Sequence, residues 1–136
     1  MTSVLVTAPI PQAALNILRQ ADLDVDCYNG HGLITKAELL KRVVGKDYLI
    51  TPLSTQVDRD IIDADPQLKL IANYGAGFNN IDADYARSRQ IPVTNTPKVS
   101  TVSTAEVTAG LIIALTRRLV EGDRLMRDQG FDGWSP

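Results

Sequence analysis

The chain has 136 residues, with 14 Lys+Arg against 16 Asp+Glu and a formal net charge of -2. Hydrophobic residues at 44% and charged residues at 22% suit one globular domain and exclude a disordered tail or a fibre. The acidic balance, the 5% aromatic content, the single cysteine and the single histidine argue against a nucleic-acid surface, a disulfide framework and a Cys/His metal centre.

Taken in chain order, short β-branched runs alternate with helical patterns. Val4-Leu5-Val6-Thr7 reads as a buried strand, with no basic leader ahead of it, and is closed by Pro9 and Pro11. Residues 13–20 carry Ala14, Leu15 and Leu18 at the spacing of a helix face. Residues 23–28 alternate like a strand with one polar side, which predicts a sheet edge. The turn cluster Asn29-Gly30-His31-Gly32 follows, and Thr35-Lys36-Ala37-Glu38 then has the form of a capping box opening a helix to Val44. Tyr48-Leu49-Ile50-Thr51 is a third strand, 58–64 a short helix, 68–73 a fourth strand, 82–90 another helix and 92–95 a short fifth strand. Strands alternating with helices predict a parallel sheet with helices on both faces. For about five strands the expected fold is α/β, a flavodoxin-like doubly wound sheet.

Between 102 and 128 only Gly110 and Gly122 weaken a helical pattern. Ser103-Thr104-Ala105-Glu106 resembles a second capping box near its start. A single helix there would be about 40 Å long, close to the diameter of a compact domain of this size. Its first half, with Val107, Leu111, Ile112, Ile113 and Leu115, is apolar nearly all round and calls for burial on several sides. The longest apolar stretch, 107–115, is too short to span a membrane, and a cytoplasmic location is expected. The tail, Phe131-Asp132-Gly133-Trp134-Ser135-Pro136, spends the only tryptophan at the terminus.

Two loops carry candidate chemistry. Gly75-Ala76-Gly77 stands between a strand and a helix, but Asn80 occupies the third glycine position of a dinucleotide fingerprint, and no acidic residue closes a strand about 20 residues later. Two glycines there can still present backbone N–H groups to an anion such as a carboxylate, or can form a plain tight turn. Thr51-Pro52-Leu53-Ser54-Thr55 leaves the neighbouring strand at the same sheet edge, where open α/β sheets bind ligands; it reads equally as a Pro turn leading to a helix cap. Glu106 fits a capping role, His31 a solvated turn, and Cys27 lacks a basic partner. The sequence contains no Ser-His-Asp, paired-carboxylate or metal-ligand constellation.

The run from Leu70 to Asp82, with Asn73-Tyr74-Gly75-Ala76-Gly77-Phe78-Asn79-Asn80-Ile81-Asp82 at its centre, resembles the NAD-dependent D-isomer-specific 2-hydroxyacid dehydrogenases. The resemblance is to their amino-terminal region, near the phosphoglycerate dehydrogenase and glyoxylate/hydroxypyruvate reductase branches. The similarity continues through Ile91-Pro92-Val93-Thr94-Asn95-Thr96-Pro97, Ser103-Thr104-Ala105-Glu106, Ala114-Leu115-Thr116-Arg117-Arg118 and the tail from Phe131 to Pro136. It implies a substrate domain over 1–100 and an interdomain and dimerisation helix with a linker over 101–136, with a cofactor domain expected beyond. By resemblance, Ala76 and Gly77 hold the substrate carboxylate through their amides, Leu53 and Ser54 lie in a loop over the substrate, and Thr104 stands beside the nicotinamide. The family's catalytic Arg, Glu and His fall in the later region, so no catalytic residue and no metal ligand is assigned to this chain; His31 and Glu106 do not match them. The resemblance further implies a small 2-hydroxy or 2-keto acid as substrate and NAD or NADP as cofactor of the complete enzyme. The chain alone is expected to be inactive and to bind no cofactor tightly. It is also expected to form a homodimer through the 102–128 helix, with no nucleic acid and no membrane as partner.

Readings from other classes fail where their chemistry would sit. A signalling receiver needs an acidic residue ending the third strand, where Thr51-Pro52 stands. A flavin electron carrier needs a hydroxyl- and glycine-rich loop after the first strand, where Ala8-Pro9-Ile10-Pro11 stands. A non-catalytic small-acid binding or dimerisation module remains the alternative.

Overall fold

Val4, Leu5 and Val6 have no polar side to turn to water, and the strand they build, β1 (Ser3–Val6), is buried along its whole length. The computed structural model describes residues 2–128 and 130–134. In it β1 lies between β2 (Asp24–Cys27) and β3 (Tyr48–Pro52), and β4 (Leu70–Tyr74) and β5 (Val93–Thr94) extend the sheet to the order β2-β1-β3-β4-β5. Every pairing is parallel, with Val6 opposite both Cys27 and Ile50, and Pro52 opposite Tyr74. This is the flavodoxin-like doubly wound order expected from the sequence. β2 is an edge, as its polar alternation predicts. Asp26 on it pairs with Arg42 at 3.0 Å and Lys46 at 3.5 Å, charges that discourage edge-to-edge pairing.

The three helices that follow β2, β3 and β4 each open on a side chain that accepts a backbone N–H. Thr35 Oγ1 accepts from Glu38 at the start of α2 (Lys36–Val43), Asp58 from Ile61 at α3 (Arg59–Asp63), and Asp82 from Tyr85 at α4 (Ala83–Ser88). These bonds satisfy N–H groups that a helix start leaves unpaired. Only half of the capping box at 35–38 forms, because the Glu38 carboxylate accepts from Arg42 at 2.7 Å instead. One face of the sheet buries Leu5, Leu49 and Ile71 with Leu39, Val43, Ile61, Ile62 and Ala86 of α2–α4. The other buries Val4 and Val6 against Leu15 of α1 (Gln12–Gln20). No helix among the described residues is long and apolar enough to cross a membrane.

The chain divides into two compact units, residues 1–97 and 98–136. The second contains the long helical segment, but in two pieces, α5 (Thr101–Thr116) and α6 (Leu119–Arg127). The interruption is not at a glycine: Gly110 and Gly122 lie inside the helices, while Arg118 takes a left-handed backbone at φ 52. Thr116 Oγ1 donates back to the Ile112 carbonyl at 2.8 Å, and the N–H groups of Arg117 and Arg118 close on Ile113 and Leu115. A side chain competing for late helix carbonyls, followed by one left-handed residue, ends a helix as glycine commonly does. The expected capping box at 103–106 does not form either. Ser100 is the N-cap and Ser103 Oγ donates to its carbonyl at 3.3 Å, so these residues lie within the first turns of α5. No residue of α5 is buried. Phe131 and Trp134 meet edge to face with ring centroids 5.5 Å apart; Ser135 and Pro136 of the tail motif lie outside the described residues.

Candidate functional site

The strands end at one edge of the sheet in two loops, 52–57 after β3 and 75–82 after β4. Their far ends are joined by a parallel bridge between Val57 and Ile81, in which Val57 N donates to Asn80 O at 2.8 Å and Asp82 N to Val57 O at 3.0 Å. At the near end, Thr55 N donates to Pro52 O at 3.1 Å, a tight turn that leaves Leu53 and Ser54 exposed at its tip.

The 75–77 loop has its three carbonyls tied back into the protein. Thr96 N donates to Gly75 O at 3.0 Å, Asn95 Nδ2 to Ala76 O at 2.7 Å, and Asn73 Nδ2 to Gly77 O at 2.5 Å. The N–H groups of Ala76, Gly77 and Phe78 donate to no acceptor among the described residues. Backbone donors rarely stay unpaired unless water or a ligand takes them. A turn that holds its carbonyls in hydrogen bonds and leaves consecutive amides without an acceptor in the protein offers those amides to an anion. The adjoining cavity of about 350 Å³ is lined by Leu53, Gln56, Gly77, Asn79 and Asn80. No cation lines it, so its positive potential comes from backbone and side-chain amides. Gly77 is not in the left-handed region; the glycines that are, Gly32, Gly45 and Gly133, lie elsewhere. The sequence signal at 75–77 is thus one of close approach rather than of special backbone angle.

Beneath the loops lies a buried polar layer that reading for motifs missed. Thr7, Thr51, Thr55, Asn73 and Asn80 are all buried. Thr7 Oγ1 lies 3.1 Å from Thr55 Oγ1 and donates to Thr51 Oγ1 at 3.3 Å. Asn80 Nδ2 faces Thr55 O at 3.0 Å, Pro52 O at 3.2 Å and Asn73 Oδ1 at 3.2 Å. The signal that could have found Asn73 is its register: it is two residues beyond buried Ile71, at an inward position that a hydrophobic strand would fill with an apolar side chain.

The strand–loop–helix at 70–88 does not fit a dinucleotide pyrophosphate. Asn80, at the third glycine position, spends its amide on protein carbonyls. The helix behind it opens on the Asp82 carboxylate, held below the usual carboxylate range first by the Tyr85 N–H and then by Arg59. Negative charge at that end opposes a phosphate. A larger cavity of about 440 Å³ beside β5 has Phe78 and Asn95 on its wall. Its one cation, Arg87, lies 3.2 Å from Asp84 in an exposed pair. No group of three or more His, Cys, Asp or Glu among the described residues could hold a metal ion.

Thr104 belongs to the second unit, in the first turn of α5; its N–H donates to Ser100 O at 2.9 Å and its carbonyl accepts from Thr108 Oγ1 at 2.7 Å. Glu106 and His31 are exposed, and Cys27 is half-buried with its Sγ 3.8 Å from Ala8 O.

Residues 4–126 match the family described as D-isomer specific 2-hydroxyacid dehydrogenase, catalytic domain. A relative from Staphylococcus epidermidis, named as a 2-hydroxyacid dehydrogenase, is 56% identical over 136 residues, which is 100% of this chain and 43% of the relative. The chain therefore spans less than half the length of the curated relatives it matches. A crystal structure of a Thermus thermophilus protein is 41% identical with a TM-score of 0.87, over 99% of this chain and 43% of that one. A D-lactate dehydrogenase from Aquifex aeolicus, solved with NAD and lactic acid, is 26% identical with a TM-score of 0.76, over 98% and 39% of the two chains.

Proposed function

The chain belongs to the D-isomer specific 2-hydroxyacid dehydrogenase family, and on that premise we propose that it is the substrate-binding part of an oxidoreductase interconverting small 2-hydroxy and 2-keto acids. The observation that carries this reading is the 75–78 loop, whose carbonyls at 75–77 are held by Thr96, Asn95 and Asn73 while the amides of Ala76, Gly77 and Phe78 have no acceptor among the described residues. Those amides hold the acid's carboxylate, and Leu53 and Ser54 cover it from the neighbouring turn. A nicotinamide cofactor, NAD or NADP, would supply the hydride chemistry when bound, at a place outside residues 1–97. Thr104 contributes to that contact. The acid–base pair and the cation for the reacting carbonyl come from the part of the relatives' length that this chain does not span. On this reading the enzyme works in the cytoplasm as a homodimer formed through 102–128 and is near the phosphoglycerate dehydrogenase and glyoxylate/hydroxypyruvate reductase branches.

Titration of the ¹⁵N-labelled chain with glyoxylate or pyruvate tests the site. Saturable shifts of the Ala76, Gly77 and Phe78 amides, larger than acetate produces, are expected. Shifts confined to other residues refute the assignment. A parallel assay of the chain with NADH and glyoxylate should give no turnover; turnover free of longer contaminating enzyme would show that an acid–base pair is present after all.

A further inference from the structure

Asn73 and Asn80 are both buried, at 3% and 6% exposure, yet they do more than fill the core. Asn80 Nδ2 has two protons and faces three acceptors: the carbonyls of Pro52 and Thr55 in one loop and Asn73 Oδ1. Asn73 in turn gives its own amide to the Gly77 carbonyl in the other loop. The two side chains form a continuous path from the Leu53–Ser54 turn to the anion-binding amides. It is distinct from the Val57–Ile81 bridge at the loops' far ends.

The layer is also under-satisfied. Asn80 Oδ1 is buried without a partner among the described residues. Flipping that amide would pair nothing and would turn an oxygen toward three acceptors. Burial of an unmet acceptor is costly, and a hydrophobic residue would avoid it. Donors are what this position supplies.

We infer that Asn73 and Asn80 are positioning residues: a relay that sets the 52–55 turn and the 75–77 loop in one register, so that the amides and their covering turn are presented to the acid together. This rests on the site reading above. A buried network of this kind transmits the loss of one member to the others, so cutting the path at Asn73 should disturb a turn that Asn73 does not touch.

The test uses the ¹⁵N-labelled 136-residue chain with pyruvate as probe. The variants are Asn80→Ala, which removes all three contacts, and Asn73→Ser, which keeps a small polar group but cannot span to Gly77. Asn73→Leu, near in volume and uncharged, serves if either fails to fold. Without ligand, Asn73→Ser should shift the amides and speed the hydrogen exchange of Leu53, Ser54 and Thr55 as well as those of 75–78, while amides of β1 and α2 stay put. A merely local packing role would confine the change to 73–78. With pyruvate, both variants should bind about tenfold more weakly, as loss of one or two buried hydrogen bonds implies. If wild-type chain shows the 76–78 shifts and the variants bind as tightly with 53–55 unmoved, the relay is wrong and the site reading stands. If the wild type shows no pyruvate shifts at 76–78, the site reading is wrong and the relay's role in binding falls with it.

Discussion

A Cβ built on Gly75 would stand 2.5 Å from Leu53 Cγ, whereas on Gly77 the nearest contact is Leu53 Cδ2 at 4.0 Å. Two glycines one residue apart are therefore needed for different reasons. Gly75 lets the Leu53 side chain lie across the loop, and Gly77 keeps the mouth of the cavity open. Gly77→Val should leave stability nearly unchanged, because the position has room and an ordinary backbone, while its branched side chain fills the space before the amides. The expected result is at least about tenfold weaker pyruvate binding with the melting temperature within a few degrees of wild type. Gly75→Ala should instead displace Leu53, at a cost of about 1 kcal/mol typical of mild overpacking. It should shift the Leu53 methyl resonances even without ligand. Equal effects of the two substitutions in a melting and titration series would contradict this division.

At the scale of elements, the sheet-domain helices after α1 are set by a single side-chain acceptor each, and α2 shows its worth most simply. Thr35 is exposed and its hydroxyl accepts from Glu38 N at 3.2 Å. Thr35→Ala should destabilise the domain by about 1 kcal/mol, and Thr35→Asp should restore it; urea unfolding of the three proteins decides. α5 poses the opposite case. Its residues Leu111, Ile112 and Leu115 are 66%, 59% and 81% exposed, an apolar surface that a soluble helix normally covers. Burying each such side chain in an interface would stabilise association by about 1.5–3 kcal/mol before entropy costs. The expected outcome is a concentration-dependent dimer by sedimentation, and Ile112→Asp should shift it toward monomer by leaving a charge in an apolar interface. Since Ile112 packs into no core in the structure, the variant's circular dichroism should match wild type. A wild-type monomer at high micromolar concentration would remove the case for this helix as the dimer contact.

For the whole molecule, the acid limit of stability can be read from three carboxylates. Lys69 holds Asp47 below the ordinary value of 3.8, Lys36 does the same for Asp58, and the Tyr85 N–H followed by Arg59 does so for Asp82. A carboxyl whose folded pKa lies below its unfolded one stabilises the fold above the unfolded pKa, and loses that contribution as pH falls through the folded pKa. Stability should hold down to about pH 5 and decline below 3.8. Because Asp58 and Lys36 are about half exposed, the loss should be gradual and softened further by salt. Urea midpoints between pH 7 and pH 2.5 measure it. Lys69→Met should flatten the acid limb, and an unchanged limb in that variant would show that the Asp47 pair contributes nothing.

The sequence by itself determined the alternation of five strands with helices, the edge position of β2 and the cap at Thr35, whereas Asp58 and Asp82, read as the first residues of their helices, are their N-caps. It also marked the two loops at one end of the sheet. The alternation, the edge, the Thr35 cap and the loops follow from signals within a few residues: the period of apolar positions, a hydroxyl ahead of a helix, a proline or glycine after a strand. The tertiary structure alone decided the rest. Asn80, which by spacing looks like a glycine position gone missing, is joined to Pro52 and Thr55 across 28 and 25 residues. No local pattern encodes those partners, because they exist only once β3 and β4 lie side by side. The break at Arg118 is likewise hidden, since an arginine carries no helix-stopping signal. It took the return of Thr116 to the helix carbonyls and a left-handed residue beyond to end α5 there. Periodicity travels along the chain, but a hydrogen-bond partner is chosen by the order of strands in the sheet, and that order is a property of the packed whole.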